Sequence, residues 1–239
     1  MTILITGGAS GLGCAITSAL AVEKDVRLII TYNRSAEAAG KLANEFSDIR
    51  AVKCNFQHPD DLDRLMAVIE DEKIDVLVNN AFTGLRKEHF EKTEPELFLS
   101  SFEDNVLPAI RITQKAIGIF RKKKSGRIIT VLSSAIINKP PVGWAAYVAE
   151  KNYLFSMAKS WAVENARFNI TSNMVSPSFM LTDLNKDMDD RILEDSRSKL
   201  PLKKFLAPEE TAEAVRFLVY CSPQINGHNI VINQAENLL

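Results

Sequence analysis

The sequence predicts an α/β fold: a single domain, residues 1–239, on a doubly wound parallel sheet of about seven strands with helices on both faces. Three observations predict it. Short apolar, β-rich runs alternate with amphipathic helical stretches from one end of the chain to the other. The first of these runs leads directly into a glycine-rich turn and then a helix. The length of 239 residues, with 46% hydrophobic and 25% charged content, suits one sizeable core, and no linker, repeat or low-complexity stretch divides it.

Bulk properties narrow the function. A net charge of -1 gives no global field for nucleic acid or an anionic membrane. Cys14, Cys54 and Cys221 are far apart and match neither a disulfide framework nor a metal site, which suits a reducing, cytoplasmic setting. Met1 to Ile5 runs straight into a strand, with no basic segment of a cleaved signal. No apolar run approaches the ~18–20 residues of a membrane span. His58, His89 and His228 are scattered, beside no nucleophile or ligand cluster, so no metal is expected.

Ile3 to Ile5 is the first strand. Thr6-Gly7-Gly8-Ala9-Ser10-Gly11-Leu12-Gly13 follows, then a helix to Ala21. Glycines let the backbone approach a pyrophosphate, and the helix start offers free N–H groups and the positive end of its dipole. Gly7, Ser10, Gly11, Leu12 and Gly13 are the expected contacts. The second strand, Val26 to Thr31, ends in Tyr32-Asn33-Arg34-Ser35. There an acidic residue would take the ribose 2′-hydroxyl of NAD, whereas an arginine suits the 2′-phosphate of NADP. No Asp or Glu lies between Thr31 and Ala36, but Arg34 does, so NADP(H) is favoured over NAD(H), with Asn33 and Arg34 as contacts. Ser10 supplies no second cation.

Ala36 to Phe46 is an amphipathic helix and Ile49 to Cys54 a third strand, followed by Asn55 and Phe56. Asn55 suits either the adenine edge or a turn. Asp60 to Glu72 carries Leu62, Leu65, Met66 and Ile69 at helical spacing. Ile74 to Val78 is the fourth strand, ending in Asn79-Asn80-Ala81-Phe82. Glu94 to Lys122 contains a long helix with Val106, Ile110, Thr113, Ile117 and Phe120 on one stripe. Pro108 removes a helical hydrogen bond. A bend near Asn105 would turn that amide towards the cleft; the alternative is a mild kink without consequence. Arg121 to Lys124 suits the dipole at a helix C-terminus. With Arg127 and Arg167 it is also a candidate docking surface for an acidic carrier protein, unless these are ordinary solvated charges.

Ile128 to Leu132 is the fifth strand and delivers Ser133 and Ser134 at its carboxyl end, where ligands bind in such sheets. The helix opening at Tyr147 carries Leu154, Met157, Ala158, Trp161 and Ala162 as core or subunit interface. Ile170 to Val175 is the sixth strand. Polar Asp183 to Leu200 reads as a mobile segment within a substrate lid at about 179–207. Glu209 to Tyr220 is the last helix and Asn229 to Ile232 the last strand.

The densest chemistry lies between Ser134 and Lys151. Tyr147 and Lys151, four residues apart, share one helical face. An ammonium beside a phenol favours the phenolate, so the tyrosine pKa is expected to fall from ~10 towards working pH. Such a tyrosine can donate a proton to a carbonyl oxygen or take one from an alcohol. Ser134, beyond the Pro140-Pro141-Val142-Gly143 turn, would hold the same oxygen. Phe82, Trp144, Phe179, Met180 and Leu184 suggest a partly apolar pocket, or packing under the lid.

In order along essentially the whole chain, these motifs resemble the short-chain dehydrogenase/reductase family, especially its 3-oxoacyl-carrier-protein reductase-like members. Thr6 to Gly13 matches the TGxxxGxG motif, and Asn79-Asn80-Ala81 most of NNAG. Asn105, Ser134, Tyr147 and Lys151 match the catalytic tetrad; Ser134 fits better than Ser133 because it precedes Tyr147 by the usual thirteen residues. The resemblance implies a Rossmann fold and hydride transfer between a nicotinamide and a carbonyl or secondary alcohol. It makes Tyr147 the general acid in reduction and the base in oxidation. Lys151 would lower its pKa and bind the nicotinamide ribose, Ser134 would orient the substrate carbonyl, and Asn105 would anchor a water-linked proton relay. Asn79, Ala81, Pro177, Phe179 and Thr182 would join the cofactor contacts, with Thr182 and the backbone around Phe179 on the carboxamide. A small-molecule substrate, free or carrier-protein-linked, and a homodimer or homotetramer are implied as well.

Three departures stand out. Phe82 replaces the glycine of NNAG, Ser178 replaces the glycine of a Pro-Gly pair, and Val231 to Glu236 lacks the common Asp-Gly-Gly. The first two alter the pocket near the nicotinamide; the third puts the usual tetramer contact in doubt. Two readings compete with an active reductase. A cofactor-binding sensor or structural subunit on this fold commonly loses the tyrosine or lysine, and both are present. A sugar-nucleotide epimerase needs a larger C-terminal domain than follows Thr182.

Overall fold

Successive side chains of a strand leave opposite faces of the pleat. In β1 (Thr2–Ile5), Ile3 and Ile5 accordingly enter one hydrophobic core and Leu4 enters another. In β2 (Arg27–Tyr32), Leu28 and Ile30 join the first core and Ile29 the second. A sheet apolar on both faces must be covered on both faces. The computed structural model describes residues 1–137, 139–182 and 189–236, and these fold as that pattern requires.

One core is closed by α1 (Gly11–Ala21), α2 (Ala36–Glu45) and α7 (Pro208–Tyr220), through Ile16, Leu20, Leu42, Val215 and Leu218. The other is closed by α3 (Pro59–Glu72), α4 (Pro95–Lys123) and α5 (Ala145–Asn165), through Leu65, Ile69, Ile112, Phe120, Leu154 and Trp161. The remaining strands are β3 (Ile49–Lys53), β4 (Val76–Asn79), β5 (Gly126–Val131), β6 (Ile170–Pro177) and β7 (Asn229–Ile232). All seven pair in parallel in the order β3-β2-β1-β4-β5-β6-β7. The order reverses between β1 and β4, and such a switch point opens a crevice at the carboxyl ends of the strands.

The elements lie within a few residues of their expected bounds. The expected lid contains a further helix, α6 (Asp190–Lys199), with Asp189 accepting from the Arg191 N–H at its start. Leu184 lies outside the described residues. α4 runs as one continuous helix through the buried Asn105 and Pro108. No helix among the described residues is long and apolar enough to cross a membrane.

Candidate active site

The turn after β1 is built to bring backbone close to backbone. Gly7 has φ +64°, a left-handed conformation in which a Cβ would be strained. A Cβ on Gly13 would lie 2.0 Å from the Gly7 carbonyl oxygen, so only glycine lets α1 start this close to the turn. Polar side chains lock the arrangement. The Gly7 N–H donates to Thr31 Oγ1 at 2.9 Å, and the Thr17 hydroxyl donates to the carbonyls of Gly8 and Gly13 at 2.8 and 2.9 Å. Asn80 Nδ2 donates to the carbonyls of Thr6 and Gly7, tying the end of β4 to the turn. The first N–H groups of α1 receive no side-chain cap from Ser10, so they stay available to an anion.

At the end of β2, Asn33 and Arg34 are exposed on the rim of the same cleft, and Arg34 has no ion-pair partner among the described residues. The Asn55 N–H donates to Asp61 Oδ2 at 2.8 Å and its Oδ1 accepts from the Gln57 N–H, so this asparagine builds a turn while lining the cleft with Phe56. Asn79 does not reach the cleft. Its Nδ2 donates to Thr113 Oγ1 of α4 at 2.9 Å inside the core, and strand alternation gives the cleft side to Asn80.

At the other end, Tyr147 stands between two aromatic edges. Phe82 meets it T-shaped at 5.0 Å between centroids and Trp144 at 5.4 Å. The fully packed Lys151 donates from Nζ to the Val131 carbonyl at 3.0 Å, with Nζ 5.0 Å from the Phe82 centroid and 5.8 Å from that of Tyr147. Ser133 is the serine whose side chain engages Tyr147, while Ser134, buried at the start of the short 3₁₀ turn Ser134–Ile136, lines the same cleft beside it. One expectation is corrected here: the tyrosine pKa does not fall. Burial raises it, the Ser133 hydrogen bond works against that, and the Glu150 charge adds to the rise. Lys151 is itself pushed down to about 8 by burial, against the pull of Glu150.

Asn105 pins the loop after β4 in both directions. Its Oδ1 accepts from the Thr83 N–H at 2.9 Å, and its Nδ2 donates to the Thr83 and Ser101 carbonyls at 3.1 Å. Phe179 packs on Phe205, and Thr182 sits against Gly11. Met180 lines the cleft while its sulfur accepts from Thr211. The sequence reading ranked Ser133 behind Ser134, named Asn80 only within the NNAG match, and gave Glu150 no role.

The whole cleft, from Gly7 and Arg34 past Tyr147 to Lys199 of α6, encloses about 1550 Å³. A pocket for one small ligand usually spans ~300–1,000 Å³, so a dinucleotide and a second molecule both have room. The residues fit a nicotinamide dinucleotide. The glycine cradle would hold its pyrophosphate, and the Ser178 hydroxyl is buried without a partner among the described residues, beside Pro177 on the cleft wall.

Comparison with known proteins agrees with this construction. The short chain dehydrogenase family model matches residues 1–192. Carbonyl reductase family member 4 of Xenopus laevis is 31% identical over 233 residues, covering 96% of this chain and 94% of that protein. The 3-oxoacyl-[acyl-carrier-protein] reductase FabG of Rickettsia bellii is 32% identical over 235 residues, covering 97% and 95%. A crystal structure of an actinorhodin polyketide ketoreductase with NADPH has the same fold, with a TM-score of 0.87 at 22% identity over 99% of this chain and 97% of that one. With its parallel sheet, glycine cradle and Tyr147–Lys151 helix, the chain belongs to the short-chain dehydrogenase/reductase family of oxidoreductases.

Proposed function

We propose that the protein is an NADPH-dependent carbonyl reductase in which Tyr147 is the general acid. One observation carries this reading: the Tyr147 phenol, beside Ser133 and set above the buried Lys151, lines a cleft of dinucleotide size. A bound dihydronicotinamide supplies the hydride. Tyr147 donates its proton to the carbonyl oxygen as negative charge grows there. The Ser133 hydroxyl donates a second hydrogen bond to that oxygen, aligning it and stabilising the charge. Lys151 supplies positive charge beneath the phenol. Phe82 and Trp144 wall the approach and exclude water.

The apolar walls favour a substrate whose carbonyl sits on a hydrophobic chain or ring. The relatives named as 3-oxoacyl-[acyl-carrier-protein] reductases make a 3-oxoacyl thioester, free or carrier-linked, the first candidate. The test is loss of reduced-nicotinamide absorbance with purified protein across 3-oxoacyl thioesters, ketones and quinones. Tight cofactor binding with no turnover on any of them would replace this reading with a sensor.

Two variant comparisons sharpen it. Ser133→Ala should lower kcat about 10²–10³-fold, the usual loss for one oxyanion donor, whereas Ser134→Ala should stay close to wild type. The reverse ranking would return the role to Ser134. Arg34→Ala should raise the KM for NADPH roughly tenfold, about the worth of one charge-assisted contact, and leave that for NADH nearly unchanged. Equal effects on both cofactors would remove Arg34 from the 2′-phosphate site.

A further inference from the structure

Beside Lys151 lies a carboxyl that the reaction above does not use. Glu150 points from α5 into the seam with α4 and is 4% exposed. Its Oε2 accepts from Asn105 Nδ2 at 3.4 Å, the Ser101 side chain hydrogen-bonds it, and its Oε1 is buried with no partner among the described residues. Nothing in the packing of two helices calls for such a group. An acceptor held dry and unpartnered weakens a fold, and so does a charge removed from water. Its neighbours Ala149 and Val148 make plain that the segment can be built from small apolar residues.

We propose that Glu150 is a positioning residue for this site: a buried negative charge, anchored to α4 by Asn105 and Ser101, that keeps Lys151 an ammonium under the cleft and so sets the upper pH limit of turnover. The proposal rests on the roles of Tyr147 and Lys151 given above. The two groups do not form a contact ion pair. Lys151 Nζ is spent on the Val131 carbonyl and Glu150 on Asn105, so the coupling is a through-space field in a poorly screened interior. The charged and titratable groups facing Glu150 are Lys151 and Tyr147 on its own helix and Asp104 on α4; Ser101 and Asn105 are its neutral partners.

The signs agree. Burial raises the Glu150 carboxyl, and Ser101, Lys151 and Asn105 draw it back down, against Asp104. Burial takes Lys151 down to about 8, and the Glu150 charge is what opposes a further fall. Without that charge the ammonium loses its proton at lower pH, and the positive charge beneath Tyr147 disappears where the enzyme would otherwise still work.

The experiment is a direct titration of Lys151 by NMR in the full-length protein with isotope-labelled lysine side chains. Wild type, Glu150→Gln and Glu150→Asp are compared, and Lys151→Arg assigns the signal. Glu150→Gln should lower the Lys151 midpoint by at least about half a unit, and Glu150→Asp should largely restore it. The alkaline limb of kcat/KM for carbonyl reduction should move down in step. An unmoved midpoint in Glu150→Gln, or a limb unchanged while both variants merely lose thermal stability, would overturn the proposal and leave Glu150 a packing residue. If Glu150→Gln does not fold, the labelled carboxyl of wild-type Glu150 decides. It should be ionised across the range where Lys151 titrates, and a carboxyl still protonated there would overturn the idea. The NMR midpoint needs no turnover, so it is judged separately from the reductase reading.

Discussion

Tyr147→Phe should cut kcat for carbonyl reduction by about 10²–10⁴-fold, the range that a positioned general acid supplies, with NADPH affinity and melting temperature close to wild type. The substitution removes one hydroxyl and nothing else. The ring keeps its edge contacts with Phe82 and Trp144 and its place above Lys151, so the helix start and the pocket wall stay intact. What is lost is the proton donor and its hydrogen bond to Ser133. A raised tyrosine pKa keeps the phenol protonated at working pH, the form in which a general acid acts, while a pKa nearer that pH would make it the stronger donor. Reduction in the wild type should therefore be insensitive to pH below neutrality. It should decline on the alkaline side once Lys151, with its pKa near 8, gives up its charge. Kinetics against pH, together with cofactor binding by fluorescence, separate these effects. Full turnover in the phenylalanine variant would remove Tyr147 from the chemistry and the proposed mechanism with it.

The architecture was legible because it depends on short-range rules. Alternating apolar runs specify strands buried on both faces, and the glycine spacing specifies a close approach of backbone that only one residue type permits. The site was less legible wherever a choice lay between adjacent residues. Counting back thirteen residues from Tyr147 reaches Ser134, but that count runs through the Pro140–Gly143 loop, and loops absorb extra residues freely. Counting forward from the end of β5 follows regular structure instead, and reaches Ser133 first, two residues past Val131. Of Asn79 and Asn80 only one can face the crevice, since a strand side chain and its neighbour point opposite ways. The core took Asn79, through Thr113. The fall expected of the Tyr147 pKa fails for another reason. Four-residue spacing puts a lysine near a tyrosine, but only packing decides how dry both become, and here desolvation outweighs the Ser133 hydrogen bond that works against it. Glu150 gave no signal at all, because a glutamate within a helix reads as solvated until the opposing helix is seen to cover it.

Gly13→Ala should be among the most damaging single substitutions in the chain, and Gly118→Ala among the mildest, although both add one methyl to a helix. Helix propensity alone favours alanine by up to about 1 kcal/mol at either position. At Gly118, in the C-terminal part of α4, an added Cβ meets nothing within 4 Å, so that preference should appear as a small gain in melting temperature. At Gly13 the added Cβ would lie 2.0 Å from the Gly7 carbonyl oxygen and 2.7 Å from Asn80 Nδ2. Neither neighbour can step aside. Gly7 is held by Thr31 and by Asn80, and Asn80 is held in turn by the Thr6 carbonyl. The start of α1 must then withdraw from the turn. That breaks the Thr17 bond to the Gly8 carbonyl and costs about 1–3 kcal/mol or more of stability, the usual range for an overpacked core. The same withdrawal carries the free N–H groups of α1 away from where a pyrophosphate would lie. NADPH affinity should therefore fall together with stability in Gly13→Ala, while Gly118→Ala leaves affinity unchanged. Thermal melts with and without NADPH measure both quantities at once, because a bound cofactor raises the melting temperature in proportion to its affinity. A Gly13→Ala protein that melts lower yet keeps the full cofactor-induced shift would mean that the turn packs the fold without holding the dinucleotide.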